Sequence, residues 1–474
     1  MSDQEKPSAT LLTRGRRVWL GLSTLTTLCS LLQFGAASRT CAQEVISQEE
    51  TTPSSVDEIV TPIERSFIDR IPRPGFFPWL TEQLKDTPVF FRDTQLDLNL
   101  RSFYFQRDKY GDDVNAAWAM GGALAYQSGW LLDRLKIGTT FYWSDRLYGP
   151  KDKDGTLLLK PGQHGYSVLG QAYARIKLVE DNVVNLYRYE YNTPFIGKND
   201  NRMSPNTFEG YTLQGSFGGK DGAPGFRYGT GYITKIKERN SDDFVWMSRD
   251  AGADVKRGVA VAGGTFTYGK FSLGAVNYFS NDIINIFYTE TKYSFPITKE
   301  LGALLAFQFA DQRSVGQDLL NGHSFATNQI GIKSDVSYGG AVFTLGYSNT
   351  SRRDDMQSPW SGYPGYTSVQ VQDFNRAKEQ ALITKLSYDF SRLGLDGVST
   401  SVLFVHGWGR VNPSTKNGVP DENEFDADFQ WRPKWSFLNG FSWRFRYARV
   451  HQYQNPNDSQ HDYRFILNYD FPLL

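Results

Sequence analysis

The sequence has 474 residues, with 51 Lys+Arg balanced by 51 Asp+Glu. Because the formal charge is zero, there is no electrostatic reason to expect nucleic acid as a partner. Helical membrane spans need roughly 20 consecutive apolar residues, and no such run occurs beyond the N-terminus. The aromatic content of 15% and the 44 Gly instead suit a barrel whose strands are apolar on one face only.

The N-terminus has the features of a secretory signal peptide. Arg14, Arg16 and Arg17 form a basic segment, an apolar and Thr-rich segment follows, and small residues occur as far as Ala42. This order predicts a leader, residues 1–42, that is removed during export. An uncleaved leader or a signal anchor is the alternative interpretation.

The next part of the chain separates this leader from a regular domain. Residues 43–66 are polar and acidic and are predicted to be disordered. Residues 67–92 are interrupted by prolines and are predicted to contain a short helix over 79–85. The acidic linker and short N-terminal segment therefore occupy 43–92, and residues 93–474 are predicted to form one barrel domain.

From residue 94 onward, apolar and polar side chains alternate with period two. In the first segment Leu96, Leu98 and Leu100 share one face, and Asn99 and Arg101 share the other. The pattern recurs in about eighteen segments, whose connections tend to alternate between short and long. This asymmetry predicts an all-β fold, a transmembrane antiparallel β-barrel with short periplasmic turns and long extracellular loops. The long connections are predicted at 146–166, 192–207, 238–255, 312–324 and 350–378.

Several segments resemble the OprD-type family of outer-membrane porins. Residues 100–108 resemble the family's opening strand, 201–210 its pore-folding third loop, and 463–471 its closing strand. Residues 363–368 and 373–379 resemble its long seventh loop and the strand that follows. The chain departs from the family in its longer N-terminal segment and in ending Pro-Leu-Leu rather than on an aromatic residue.

The resemblance implies a porin in which inward loops form a narrow constriction and a ladder of basic residues lines one wall. It also implies that the solutes are small carboxylates, such as amino acids, peptides or organic acids. The implied partners are outer-membrane lipid and small anionic or zwitterionic solutes, with a monomer and a loose trimer both open.

Strand alternation assigns basic side chains to the lumen, where closure of the barrel brings the last strands beside the first. Arginine suits a carboxylate because it offers paired hydrogen bonds and keeps its charge. A solvated lumen face without a special role is the alternative interpretation. The predicted pore-lining residues are Arg101, Arg107, Lys385, Arg444, Arg446 and Arg464, and parity also places Arg175, Lys177 and Arg188 inward.

Charged residues near the loop motifs are candidates for the constriction. Acidic groups that face a basic wall would create a transverse field, which orients a carboxylate and, more strongly, a zwitterion. One of these residues, Glu379, is alternatively a surface charge at a strand end. The candidates are Asp200, Arg202, Glu209, Asp373 and Glu379.

These patterns predict a porin for small, carboxylate-bearing solutes, with a plugged structural or adhesive barrel as the alternative. A channel for hydrophobic solutes is disfavoured because polar residues alternate at Glu424, Asp426 and Asp428. No cofactor or metal is expected, since the five histidines lack metal-ligand spacing. An enzymatic function is not expected either.

Overall fold

The computed structural model describes residues 75–474 except 112, 180, 220–221, 436–437 and 454–458. The predicted signal peptide and most of the acidic linker lie outside these residues. The short helix predicted from the sequence is present as α1, Pro78–Leu84, and α2 follows at Val89–Arg92. No helix in the described part of the chain is long and apolar enough to cross a membrane.

Eighteen long strands form one closed antiparallel sheet, as predicted. The sheet has 19 strands, of which one, Val245–Trp246, is a two-residue extension beside the seventh long strand. The last strand pairs with the first, so the barrel has no free edge. The strands are β1 Gln95–Asp108, β2 Val114–Gln127, β3 Leu135–Tyr148, β4 Tyr166–Val179, β5 Asn182–Tyr189, β6 Thr207–Gly218, β7 Gly225–Lys237, β8 Val259–Tyr268, β9 Phe271–Ser280, β10 Ile284–Pro296, β11 Leu301–Arg313, β12 Ala326–Tyr338, β13 Ala341–Thr350, β14 Gln380–Asp389, β15 Val398–Trp408, β16 Glu422–Trp431, β17 Phe441–Gln452 and β18 Ser459–Pro472.

The strands turn their apolar side chains outward and their polar side chains inward. In β11, Leu305 and Phe307 are exposed on the outer face, whereas Gln308, which follows them and points inward, is buried. The outer face of the last strands carries aromatic pairs, such as Phe445 and Phe465 with ring centroids 4.7 Å apart. An exposed apolar face around a polar interior is the reverse of a soluble β-sandwich and fits a barrel surrounded by lipid.

The connections differ in length between the two ends of the barrel, as predicted. At one end, called the short-turn end, they are 128–134, 180–181, 219–224, 269–270, 297–300, 339–340, 390–397 and 432–440. At the other, the long-loop end, they are 109–113, 149–165, 190–206, 238–258, 281–283, 314–325, 351–379, 409–421 and 453–458. The connection 281–283 is short because its strands form a tight hairpin. The loop 238–258 contains α3, Met247–Asp250, and two 3₁₀ turns lie at Lys151–Lys153 and Phe390–Leu393.

Two loops from the long-loop end fold into the barrel and pack on one side of its interior. They are the third loop, 190–206, and the seventh loop, 351–379, which are joined by a bridge between Ile196 and Ser361. Trp360 of the seventh loop is fully buried, and its indole Nε1 donates to the Met247 carbonyl of the loop 238–258 at 3.0 Å. This apolar anchor holds the loops against β5–β11, from where their tips extend to the other wall.

Candidate functional site

The strands on either side of the barrel closure form one charged inner surface. Register places Asp428 of β16 opposite Arg446 of β17, and Arg446 opposite Arg464 of β18. Arg464 is in turn opposite Phe105 of β1. Side chains that are directly opposite point to the same face, so strands far apart in sequence build a single surface. We call this surface the arginine wall, and it comprises Arg101, Arg107, Arg444, Arg446 and Arg464.

Two arginines of the wall share one carboxylate. Arg444 Nε lies 2.9 Å from Asp428 Oδ1, and Arg446 Nε lies 2.8 Å from Asp428 Oδ2. The guanidinium side chains retain exposed fractions of 20% and 22%, so a solute in the lumen can reach them. Within this group of three charges, the two cations exceed the anion by one.

A second carboxylate is shared in the same way on the last strand. Asp462 accepts from Arg107 Nη2 at 2.7 Å and from Arg464 Nε at 2.7 Å. Arg107 keeps a quarter of its side chain exposed, but only 3% of the Arg464 side chain is exposed. The Arg464 guanidinium stacks 4.8 Å above the Phe105 ring and donates to the Gln370 carbonyl at 3.3 Å. Arg464, predicted to line the pore, is therefore enclosed and holds its neighbours in place.

The third loop reaches the arginine wall through Asp200 and Arg202. Arg101 Nη1 lies 2.6 Å from Asp200 Oδ1 and also donates to the Arg202 carbonyl. Arg101 Nε donates to Asn468 Oδ1 at 2.7 Å, which fixes the guanidinium between strand and loop. The acidic group thus contacts the basic wall directly, whereas the sequence suggested that it faces the wall across a gap.

Arg202 has a structural position although the sequence placed it among the constriction candidates. Only 5% of the residue is exposed, and its Nε donates to the Thr156 carbonyl at 2.7 Å. Its guanidinium lies 4.8 Å from the centroid of the Phe105 ring. The ring thus contacts two guanidinium groups, those of Arg202 and Arg464, and stabilises both by cation–π contact.

The tip of the seventh loop, residues 370–372, crosses to carboxylates of β16. Both oxygens of Glu424 accept backbone N–H groups, from Val371 and from Gln372, each at 2.8 Å. The Gln370 N–H donates to Asp426 Oδ2 at 3.2 Å. These bonds engage Glu424 and Asp426 with loop backbone, whereas the third carboxylate of this face, Asp428, binds the arginines.

The body of the seventh loop is held against the barrel wall formed by β10 and β12. The Tyr366 hydroxyl donates to Glu290 Oε1 at 2.8 Å, and the Lys333 ammonium lies 5.5 Å above the Tyr366 ring. The Tyr363 hydroxyl donates to Gln329 Oε1 at 2.6 Å. The loop therefore spans the interior between two sets of polar contacts.

The acidic candidates of the seventh loop bond within the loop itself. Asp373 accepts from the Ser368 hydroxyl at 2.6 Å, and burial raises the pKa of Asp373 above its ordinary value. Glu379 accepts from the Arg376 N–H at 2.8 Å, and burial raises the pKa of Glu379 to about 7. Both carboxylates therefore bond to groups of their own loop.

Glu209 and Lys385 complete the predicted set, on other strands. Glu209 belongs to β6 and not to the third loop, because pairing with β7 already begins at Thr207. Its carboxylate is bound by Arg188 at 3.0 Å and by Lys235 at 2.7 Å. Lys385 faces inward from β14, where Asp428 and Arg446 are among the charged groups that act on it. Within the part of the chain that the structure describes, Lys385 forms no ion pair.

Sequence reasoning missed the acidic partners of the arginines. Asp462 stands two residues before Arg464 and therefore shares its face, a signal that the sequence does contain. Asp428 was recognised as polar but not as a ligand of two arginines. Their pairing depends on register between strands, which the alternation pattern does not specify.

The chain resembles known outer-membrane porins in sequence and in fold. Residues 88–473 match the family described as outer membrane porin, OprD family. Porin D of Pseudomonas aeruginosa is 23% identical over 417 residues, which cover 81% of this chain and 92% of Porin D.

Solved structures of porins superpose on the barrel. Pseudomonas aeruginosa OpdK with vanillate has a TM-score of 0.70 at 20% identity, and Pseudomonas aeruginosa OccK9 (OpdG) has 0.71 at 21%. A BenF-like porin from Pseudomonas fluorescens Pf-5 has 0.69 at 16%. Each superposition covers 81% of this chain and 100% of the other. At these identities the similarity shows the shared barrel fold.

Proposed function

We propose that this chain, which belongs to the OprD family of outer-membrane porins, passes small carboxylate-bearing solutes along its arginine wall. The chain is a channel of the Gram-negative outer membrane through which small molecules diffuse, and not an enzyme. We propose further that these small molecules carry a carboxylate. Amino acids, peptides and organic acids are the candidates that share the required carboxylate.

The proposal is carried by the ratio of arginines to carboxylates at the wall. Asp428 and Asp462 each receive two guanidinium groups, so each group of three charges has one positive charge in excess. A cation in a confined, low-dielectric passage raises the local concentration of anions. The exposed parts of Arg107, Arg444 and Arg446 can also offer paired hydrogen bonds to a carboxylate.

The contact between Arg101 and Asp200 adds a group for zwitterions. Asp200 keeps 37% of its side chain exposed beside an arginine that is 14% exposed. An amino acid could place its carboxylate on an exposed guanidinium of the wall and its ammonium near Asp200. A related porin gives chemical support for the class, since vanillate, which is named with OpdK, is a carboxylate.

Transport of matched solutes tests the proposal. Replacing both Arg444→Ala and Arg446→Ala should slow uptake of a small carboxylate more than uptake of a neutral sugar of similar size. The difference should shrink as salt rises, because the Debye length falls from about 10 Å at 0.1 M to about 3 Å at 1 M. Arg444→Lys should keep the ionic effect but lose part of the discrimination.

The matched control is Phe445→Leu, which changes the outward face of the same strand and should leave selectivity nearly unchanged. Equal slowing of both solutes in the double variant would reject the arginine wall as a selectivity element. A similarly large effect of Phe445→Leu would show that lumen and lipid faces are assigned wrongly on β17.

A plugged structural barrel is the second candidate, favoured by the bonds between the tip of the seventh loop and Glu424. If the loop closes the lumen permanently, the purified protein will carry no ion current in a planar bilayer. A measurable single-channel conductance rejects this candidate and leaves the porin.

A further inference from the structure

A second group of cations lies on another wall, at the short-turn end of the lumen. Lys136 of β3 is directly opposite Arg175 of β4 in the strand register. Both alternate with outward residues, such as Ile137, which is 39% exposed. Lys136 is the second residue of β3 after the turn 128–134, so the pair lies near the short-turn end. The third and seventh loops enter from the opposite end.

This pair of cations differs from the arginine wall because it has no carboxylate. Among the residues that the structure describes, neither Lys136 nor Arg175 forms an ion pair. Lys136 Nζ donates to the amide oxygen of Gln127, at 3.3 Å. Arg175 Nε is buried without a hydrogen-bond partner. Two like charges placed opposite each other on neighbouring strands repel, and an anion between them would relieve that repulsion.

The acidic groups nearby are already engaged. Asp93 acts electrostatically on Lys136 but is bound by Arg92 at 2.8 Å. Asp133, in the adjoining turn, is bound by Lys177 at 3.0 Å. These ion pairs leave the two opposed cations to a ligand from the lumen.

Aromatic rings flank the pair on both sides. The Lys136 ammonium lies 5.2 Å from the Trp130 ring centroid, and the Arg175 guanidinium lies 6.0 Å from that of Tyr189. Tyr173 stands edge-on to Tyr189, with 4.9 Å between centroids. The Tyr173 ring lies directly over Gly138, where a Cβ atom would come within 2.3 Å of it. Glycine at this position thus leaves room for the buried Tyr173 ring, which packs against Tyr189.

We propose that Lys136 and Arg175 bind the carboxylate of an aromatic solute at the short-turn end of the lumen. The guanidinium and ammonium groups hold the carboxylate, and the half-buried rings of Trp130 and Tyr189 offer apolar surface to the body of the solute. This proposal rests on the proposed function, since the pair forms a second binding site that a carboxylate reaches after the arginine wall.

One-sided block of single-channel current tests the site. Full-length protein in a planar bilayer receives benzoate, first on one side of the membrane and then on the other. Benzoate added from the short-turn side should block at a lower concentration than benzoate from the long-loop side. Lys136→Gln with Arg175→Gln should weaken the short-turn block at least about tenfold, which corresponds to about 1.4 kcal/mol, and leave the other side nearly unchanged. Neutral benzyl alcohol should show neither effect.

Lys177→Gln is the matched control, because Lys177 lies on the same face of β4 but is already paired with Asp133. If it weakens the block as much as the double variant does, the effect is one of general charge and the site is rejected. The site is also rejected if the double variant binds benzoate with the affinity of the native channel, or if benzoate blocks the native channel equally from both sides. Should the double variant fail to fold, the single variants carry the test, with Arg175→Lys expected to retain more affinity than Arg175→Gln. Failure of the proposed function would be distinguishable, because it would appear as unchanged selectivity in the variant Arg444→Ala with Arg446→Ala.

Discussion

The guanidinium of Arg101 on the first strand lies 2.6 Å from the carboxylate of Asp200 in the third loop. The third loop leaves the barrel between β5 and β6, so the contact spans the interior. It ties an inward loop to the arginine wall and neutralises the arginine that is nearest to it. The loop therefore acts on both the width and the charge of the passage.

Removing the charge of Asp200 should make the channel more selective for anions. Asp200→Asn keeps the shape of the side chain, but Arg101 then loses the carboxylate with which it forms an ion pair. Under a salt gradient the reversal potential should move toward that of the anion, more at 0.1 M than at 1 M salt. Because the pair is partly exposed, the loss of stability should be about 1 kcal/mol. Asp133→Asn, which breaks an ion pair at the short-turn end, is the control, and an equal shift there would contradict the assignment.

Glu424 should hold the tip of the seventh loop at the barrel wall. Glu424→Ala removes the acceptor of the Val371 and Gln372 N–H groups. Each hydrogen bond contributes about 0.5–1.5 kcal/mol, so with both bonds lost the exchange of these two amide protons should accelerate about tenfold. Current through the open channel should become noisier as the tip is released.

Asn423→Ala is the control for the loop tip, since Asn423 lies one residue away and bonds to His406 and Tyr453 on the other face. Unchanged exchange at Val371 and Gln372 in the Glu424 variant would show that other contacts hold the tip.

The base of the seventh loop should weaken as pH rises. Burial raises the pKa of Glu379 from an ordinary 4.5 to about 7. Below about pH 4.5 the carboxyl is neutral in the closed and the opened loop, so ionisation has no effect. Between about 4.5 and 7 the opened loop loses its proton first, and stability of the closed loop falls, by up to about 3 kcal/mol. Above about pH 7 the loss is complete and constant.

Glu379→Gln should abolish this dependence. Protection of the Arg376 amide against hydrogen exchange, corrected for the intrinsic rate, should fall with pH in the native protein and stay level in the variant. The variant should be the better protected of the two at pH 8 and similar to the native protein at pH 4. A parallel decline in both proteins would exclude Glu379 as the titrating group.

The long-loop end should face the outside of the cell. Ser358 is exposed although most of the seventh loop is folded inward. A cysteine introduced by Ser358→Cys should react with an impermeant thiol reagent on intact cells, because long loops of such barrels are extracellular. A cysteine in the turn 297–300, introduced by Thr298→Cys, should react only after the outer membrane is broken. The opposite order of labelling would invert the topology.

Much of the fold follows from local alternation. Leu305 and Phe307 on one face and Gln308 on the other identify β11 from a few neighbouring residues, and the same holds for the other long strands. The site is less predictable. Arg444 and Arg464 look alike in the sequence, yet one is accessible and the other is enclosed by Phe105 and the seventh loop. Loop residues from elsewhere in the chain decide which arginine a solute can touch.

The sequence by itself determined which face of each strand is polar, where the turns and long loops lie, and hence that the chain forms a membrane barrel. It could do so because side-chain direction in a strand depends only on position along that strand. Only the tertiary structure decided that Arg107 meets Asp462, a partner 355 residues away, and that Glu424 binds the tip of the seventh loop. Such contacts depend on the register at barrel closure and on loops that cross the interior, both set by long-range packing that no local pattern encodes.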